Sequence, residues 1–252
     1  MVTQKGKNTH VVAIHGNFDD AQTGVKKIFT DPVIKAELAQ HNKMFSSANS
    51  INWGRLLPQI VYYFSAYLDL VNAKKIKMGD AINVVVPTGN FGNILAAWYA
   101  KQIGVPIERL LCASNDNRVL TDFINTGTYD ISDREFILTS SPSMDILVSS
   151  NLERQLFELT GRDAAAIQGW MDDLREKRRF ELDEETFAAL QQNYRAGSVD
   201  SDTCLQTIHD VFEQHDYLLD PHTAVAWKVA EQQKGDNPML IASTANLSLI
   251  HI

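Results

Sequence analysis

The chain has 252 residues, a formal net charge of −8 and a pI near 5.3, a balance that argues against nucleic acid or an anionic membrane as the main partner, since either would select a basic face. A hydrophobic fraction of 44% with 21% charged residues fits a globular protein with a large core. Cys112 and Cys204 are far apart and in no metal-ligand spacing, and neither a membrane-length apolar run nor an apolar leader is present, so the expectation is a cytoplasmic protein with reduced core thiols.

Along the chain, His10 to Ile14 reads as a strand, and Gly16-Asn17-Phe18-Asp19-Asp20 as the start of a helix reaching about Phe29, where Thr30-Asp31-Pro32 stops it. A strand this early, with no partner strand before it, resembles the end of a domain. Beyond a polar stretch over 41–53, Leu56, Ile60, Tyr63, Phe64 and Tyr67 define a wide apolar helix face, with Pro58 tolerated in the first turns. The Ser/Asn cluster before that helix, closing at Arg55, gathers hydroxyl, amide and guanidinium groups where an anion is favoured, although N-capping plus a surface arginine explains it more simply.

Val84-Val85-Val86 then reads as a buried strand, Pro87-Thr88-Gly89-Asn90-Phe91-Gly92-Asn93 breaks it, and Ile94, Leu95, Trp98 and Tyr99 recur at helical spacing. Two glycines in the turn are expected to supply positive φ and close approach, and the first amides of the helix lack intrahelical partners, which together suit a phosphate. The spacing is neither the Gly-x-Gly-x-x-Gly of dinucleotide folds nor a nucleotide P-loop, and a turn that binds nothing fits it equally well.

Gly104-Val105-Pro106 ends that helix, Arg109 to Ala113 makes another strand, and an amphipathic segment closes at Gly127. This strand and helix alternation predicts an α/β fold with a parallel sheet. Phe136-Ile137-Leu138 reads as one more strand, and Ser140 to Asp145 leads into a helix through Leu147, Leu152, Leu156 and Leu159 to Gly161. From Arg162 to Asp216 the pattern is helical and charged, a solvated face rather than a binding site. Asp220-Pro221-His222-Thr223 is a strong helix start, Met239 to Ala242 a final strand, and Ser243-Thr244-Ala245 stands at its carboxyl end, where α/β sheets place ligand groups. No His-Glu-x-x-His zinc pair and no Gly-x-Ser-x-Gly elbow occurs, and no metal site is expected.

Six stretches in shared order and spacing across 11–245 resemble threonine synthase, a pyridoxal-phosphate enzyme of fold type II (tryptophan synthase β-like), in its bacterial and fungal branch. They are Gly16 to Asp20, Asn49 to Arg55, Thr88 to Asn93, Ser141 to Leu147, Asp220 to Val225 and Ser243 to Ala245. The resemblance implies conversion of O-phosphohomoserine and water into threonine and phosphate. It implies that Thr88, Gly89, Asn90, Phe91, Gly92 and Asn93 hold the cofactor phosphate, that Thr244, with Ser243 as second choice, faces the pyridine nitrogen, and that Ser50, Asn52 and Arg55 bind the substrate phosphate. It divides the chain into a remnant of the smaller domain over 1–45, the large phosphate-holding domain over 46–245 and an unrelated tail over 246–252.

The family's cofactor-bearing lysine lies in a Phe-Lys-Asp stretch that would precede Met1, and no Lys-Asp pair occurs anywhere in the chain. A truncated chain, inactive by itself, is therefore expected, with its exposed cut surface and apolar tail favouring a homo-oligomer. The alternative is a non-catalytic module that binds an anion or pyridoxal phosphate, or associates with itself.

Overall fold

The computed structural model describes residues 6–8, 10, 12, 14–16, 18–47, 49–233 and 235–245. The chain divides into two compact units, Met1–Ser46 and Ser47–Ile252. In the first, α1 (Phe18–Thr30) and α2 (Pro32–Gln40) are separated by Asp31, whose carboxylate accepts from the Val33 and Ile34 amides and so starts α2 just where α1 stops. Phe29 and Phe45 stack within this unit at 4.7 Å. The strand expected over His10 to Ile14 includes Val11 and Ala13, outside the described residues, while His10, Val12 and Ile14 have no strand geometry. Residues 246–252 also lie outside the described residues.

The second unit is built on a four-stranded parallel sheet of β1 (Ile82–Pro87), β2 (Ile107–Ser114), β5 (Tyr194–Ser198) and β6 (Met239–Ile241), in the spatial order β5-β2-β1-β6. Every residue of β1 is buried, which explains its uninterrupted apolar run: both faces of a parallel sheet are covered. Val84 and Val86 point to a layer formed by α3 (Trp53–Asn72), α4 (Gly92–Ile103) and α5 (Val119–Thr126), and Val85 points to α9 (Ser201–His215) and α10 (Pro221–Gln232). Cys112 and Cys204 are free and buried, and burial pushes the Cys112 thiol up to about 12, as befits core residues.

Three expectations are corrected. Phe136 to Leu138 forms no strand. The Asn117 side chain binds Ile137 in the manner of a neighbouring strand, Nδ2 donating to the Ile137 carbonyl at 2.8 Å and Oδ1 accepting from its amide at 3.0 Å. The helix expected after Ser140 to Asp145, running through Leu147, starts only at α6 (Leu152–Leu159), and Pro142–Met144 forms a single 3₁₀ turn before it. Asp145 is buried beneath that turn, and its carboxylate accepts from Asn115, Asn117 and Thr139, which pins the segment in an irregular path. The charged run over 162–216 does hold exposed helices, α7 (Ala164–Lys177) and α8 (Glu184–Asn193), but also conceals β5 and β4 (Arg179–Glu181), which pairs antiparallel with the earlier strand β3 (Thr128–Asp130). No helix among the described residues is long and apolar enough to cross a membrane.

Candidate functional site

At the carboxyl end of β1 the chain turns through Thr88 to Phe91 into α4. Positive φ falls on Phe91, at 63°, and on neither glycine of the turn, which corrects the expected use of Gly89 and Gly92. Phe91 is held in this sparsely populated region by complete burial and by packing on Tyr194, with ring centroids 5.6 Å apart. The glycines serve close approach instead. A β-carbon on Gly89 would stand 2.8 Å from the Ser143 carbonyl oxygen, and one on Gly92 would stand 2.5 Å from both Cβ and Oγ of Ser50.

The Gly89, Asn90 and Phe91 carbonyls of this turn are taken and most of its amides are not. Gly89 O accepts from Ser149 Oγ at 2.8 Å, Asn90 O from the Asn151 amide at 3.0 Å and side chain at 2.9 Å, and Phe91 O from the Leu95 amide at 3.1 Å. Asn90 Oδ1 accepts from the Gly92 amide at 2.8 Å. The amides of Asn90, Phe91, Asn93 and Ile94 have no hydrogen-bond partner among the described residues. A helix N-terminus so arranged presents partial positive charge.

A cavity of about 710 Å³ opens there, between the ends of β1 and β6 and the first turns of α3. Gly89, Asn90, Asn93, Ser50, Arg55 and Thr244 all line it, joined by Ser243. Among the described residues no aspartate, glutamate or lysine lies in its wall, although the chain carries 31 acidic residues. Thr244 makes no hydrogen bond among the described residues, whereas the Ser243 hydroxyl accepts from Thr223 Oγ1 at 3.1 Å. Thr88, Phe91, Gly92 and Asn52 stand behind the wall. Thr88 Oγ1 is turned to the Val86 carbonyl at 2.7 Å, and Asn52 caps α3 through the Gly54 amide at 3.0 Å while its Nδ2 holds the Ser47 carbonyl at 3.1 Å. Arg154 of α6 fixes the same loop, donating to the Ser50 carbonyl at 3.2 Å and the Ile51 carbonyl at 2.9 Å.

Gln59, Tyr63, Ser143 and His222 are among the wall residues that sequence did not single out as site residues. Tyr63 is concealed within the apolar face of α3, but Gln59, one turn before it along that face, is a polar residue that marks the place. His222 is buried and accepts the Ser143 amide at Nε2, 3.2 Å away, so its proton sits on Nδ1, which faces Asp220 at 3.4 Å without hydrogen-bond geometry. Burial alone would raise the Asp220 carboxyl, but the His222 ring and the hydrogen bonds from Thr223 outweigh it and hold the group below the ordinary carboxylate range. The wall is thus neutral to positive and rich in donors, a fit for a phosphate-bearing ligand.

A parallel α/β sheet with a glycine-bearing turn at the carboxyl end of β1, facing the loop before α3, is the architecture of the fold type II pyridoxal-phosphate enzymes. No protein-family model matches the chain. The structure is similar to that of PLP-bound threonine synthase from Brucella melitensis, with a TM-score of 0.86 and 42% identity over 98% of this chain and 51% of that one. It is similar to yeast threonine synthase as well, with a TM-score of 0.78 and 34% identity over 94% of this chain and 48% of that one. In sequence the chain is 45% identical over 250 residues to threonine synthase-like 1 of Homo sapiens, covering 98% of this chain and 34% of that protein. The chain is a homologue of the threonine synthases and threonine synthase-like proteins, and it spans between a third and a half of their length.

Proposed function

We propose that the chain forms the phosphate-holding side of a threonine synthase site, acting on O-phosphohomoserine with pyridoxal phosphate. The observation that carries this reading is the turn after β1, where the Gly89, Asn90 and Phe91 carbonyls are occupied while the Asn90 and Asn93 amides have no partner among the described residues, beside a cavity with no acidic residue among its described wall residues. Bound there, pyridoxal phosphate would act as the electron sink for bond changes on the substrate's carbon chain. The amides of Asn90 and Asn93, which line the cavity, would hold its phosphate, with Thr88, Gly89, Phe91 and Gly92 fixing the backbone that presents them. Thr244, whose hydroxyl has no protein partner among the described residues, would face the pyridine nitrogen and leave it without a carboxylate neighbour. Ser50 and Arg55 would take the substrate phosphate, with Asn52 setting the loop that carries them.

Among the described residues the wall offers no amine for covalent attachment of the cofactor and no lysine to move a proton at the substrate's carbon atoms. The chain by itself is therefore inactive, and a polypeptide bearing the family's Phe-Lys-Asp segment completes the site. Phosphate release from O-phosphohomoserine tests this directly, measured with the 252-residue chain alone and again with that segment joined to it. The expected result is release only in the second case. Turnover by the chain alone, with borohydride fixing the cofactor on one of its lysines, overturns the reading. Tight cofactor binding with no turnover in either case favours a non-catalytic binding module.

A further inference from the structure

We propose that Gln59 and Tyr63, one turn apart on α3, are positioning residues: each occupies the acceptor of a cavity side chain so that Ser50 and Asn93 both present donors to a phosphate monoester. The inference rests on the anion-binding reading above and names residues that the resemblance does not assign.

Gln59 carries the clearer geometry. Its Nε2 lies 3.0 Å from Ser50 Oγ and 3.0 Å from the Arg55 carbonyl oxygen. A carbonyl can only accept, so the amide nitrogen, not its oxygen, must stand at that corner, and its second hydrogen then points at Ser50. With a lone pair of Oγ taken, the Ser50 hydroxyl keeps its own proton to donate, and that proton has no acceptor among the described residues.

Tyr63 does the same for Asn93. Its hydroxyl donates to Asn93 Oδ1 and lies 3.4 Å from the Asn93 carbonyl oxygen, and burial, by raising its pKa, keeps the phenol protonated and hence a donor. Asn93 Oδ1 is then occupied, and Nδ2, with no partner among the described residues, is the end left for a ligand. All four residues line the one cavity. Without these two contacts the Asn93 amide and the Ser50 hydroxyl are free to turn an oxygen lone pair toward the ligand, which a dianion rejects.

The test is isothermal titration of the full chain and of Tyr63→Phe, Gln59→Leu and Gln59→Glu with two phosphate monoesters. Pyridoxine 5′-phosphate has no aldehyde and cannot form an imine with surface lysines; O-phosphohomoserine represents the substrate. The expected result is about tenfold weaker binding for Tyr63→Phe and Gln59→Leu, the loss of one oriented charge-assisted donor. Gln59→Glu should weaken binding further, since a carboxylate draws the Ser50 proton to itself. The ³¹P shift of the bound ester should move in each variant. A loss confined to one ester assigns the donors to cofactor or to substrate. Thermal unfolding without ligand accompanies each titration, and if Tyr63→Phe proves unfolded the two Gln59 variants decide. Unchanged affinity and unchanged ³¹P shift in folded variants overturn the inference and leave the anion site standing. Failure of the unaltered chain to bind either ester overturns both.

Discussion

Ser50 Oγ lies 2.5 Å from the point where a β-carbon on Gly92 would stand, so the loop before α3 closes directly over the first residue of α4. Neither the Ser50 Cβ nor its hydroxyl is the far end of a flexible side chain. Gly92→Ala should therefore cost about 1–3 kcal/mol of stability through overpacking and abolish binding of phosphate esters by forcing the two loops apart. Urea unfolding and ester titration measure the two effects. Adding Ser50→Gly should recover stability but not binding, and a Gly92→Ala variant as stable as the parent contradicts the close approach.

Asn117 replaces a neighbouring strand for Ile137, and its side chain also donates to buried Asp145 at 3.0 Å. Asn117→Ala leaves the half-buried Ile137 backbone groups and the buried Asp145 carboxylate short of partners, a loss of about 1–3 kcal/mol. Hydrogen exchange should show the Ile137 amide losing protection while the β1 amides keep theirs. Equal protection in parent and variant would show that the segment is held by other means.

These cases mark where local sequence stops being informative. The β1 turn and α4 were legible because a buried parallel strand, a turn cluster and a helix period follow one another without interruption, and α10 because Asp220 and Pro221 specify a helix start locally. Strand β5 was not, since Tyr-Arg-Ala-Gly-Ser gains strand geometry from pairing with Leu110 to Ser114, some eighty residues away in sequence. Phe136 to Leu138 has strand composition, yet its partner is a single side chain. Within the site, Ser50, Arg55 and the turn were legible as residue types suited to an anion, whereas the orienting role of Gln59 and Tyr63 exists only once α3 is packed beside them.

Asp220 accepts the His222 amide at 2.9 Å and the Thr223 amide at 3.1 Å, and its carboxyl is held below the ordinary range. A group whose pKa is depressed by folding contributes stability above its unfolded pKa, and that contribution is lost as pH falls through the folded value. Asp220→Asn should keep the helix cap yet lose this charge, so its stability should converge on that of the parent at acid pH and fall below it near neutrality. Asp220→Ala should also lose the cap, by about 0.5–2 kcal/mol. Parallel pH profiles for parent and Asp220→Asn would show that the carboxylate charge contributes nothing.

The anion site itself is most directly tested by ¹⁵N-resolved amide spectra of the full chain titrated with pyridoxine 5′-phosphate. The largest shifts should fall on the amides of Asn90 and Asn93, which line the cavity, with the Gly92 amide, already bonded to Asn90, moving less. Saturating shifts centred elsewhere, or none at concentrations that saturate threonine synthases, would contradict a phosphate seat at the start of α4.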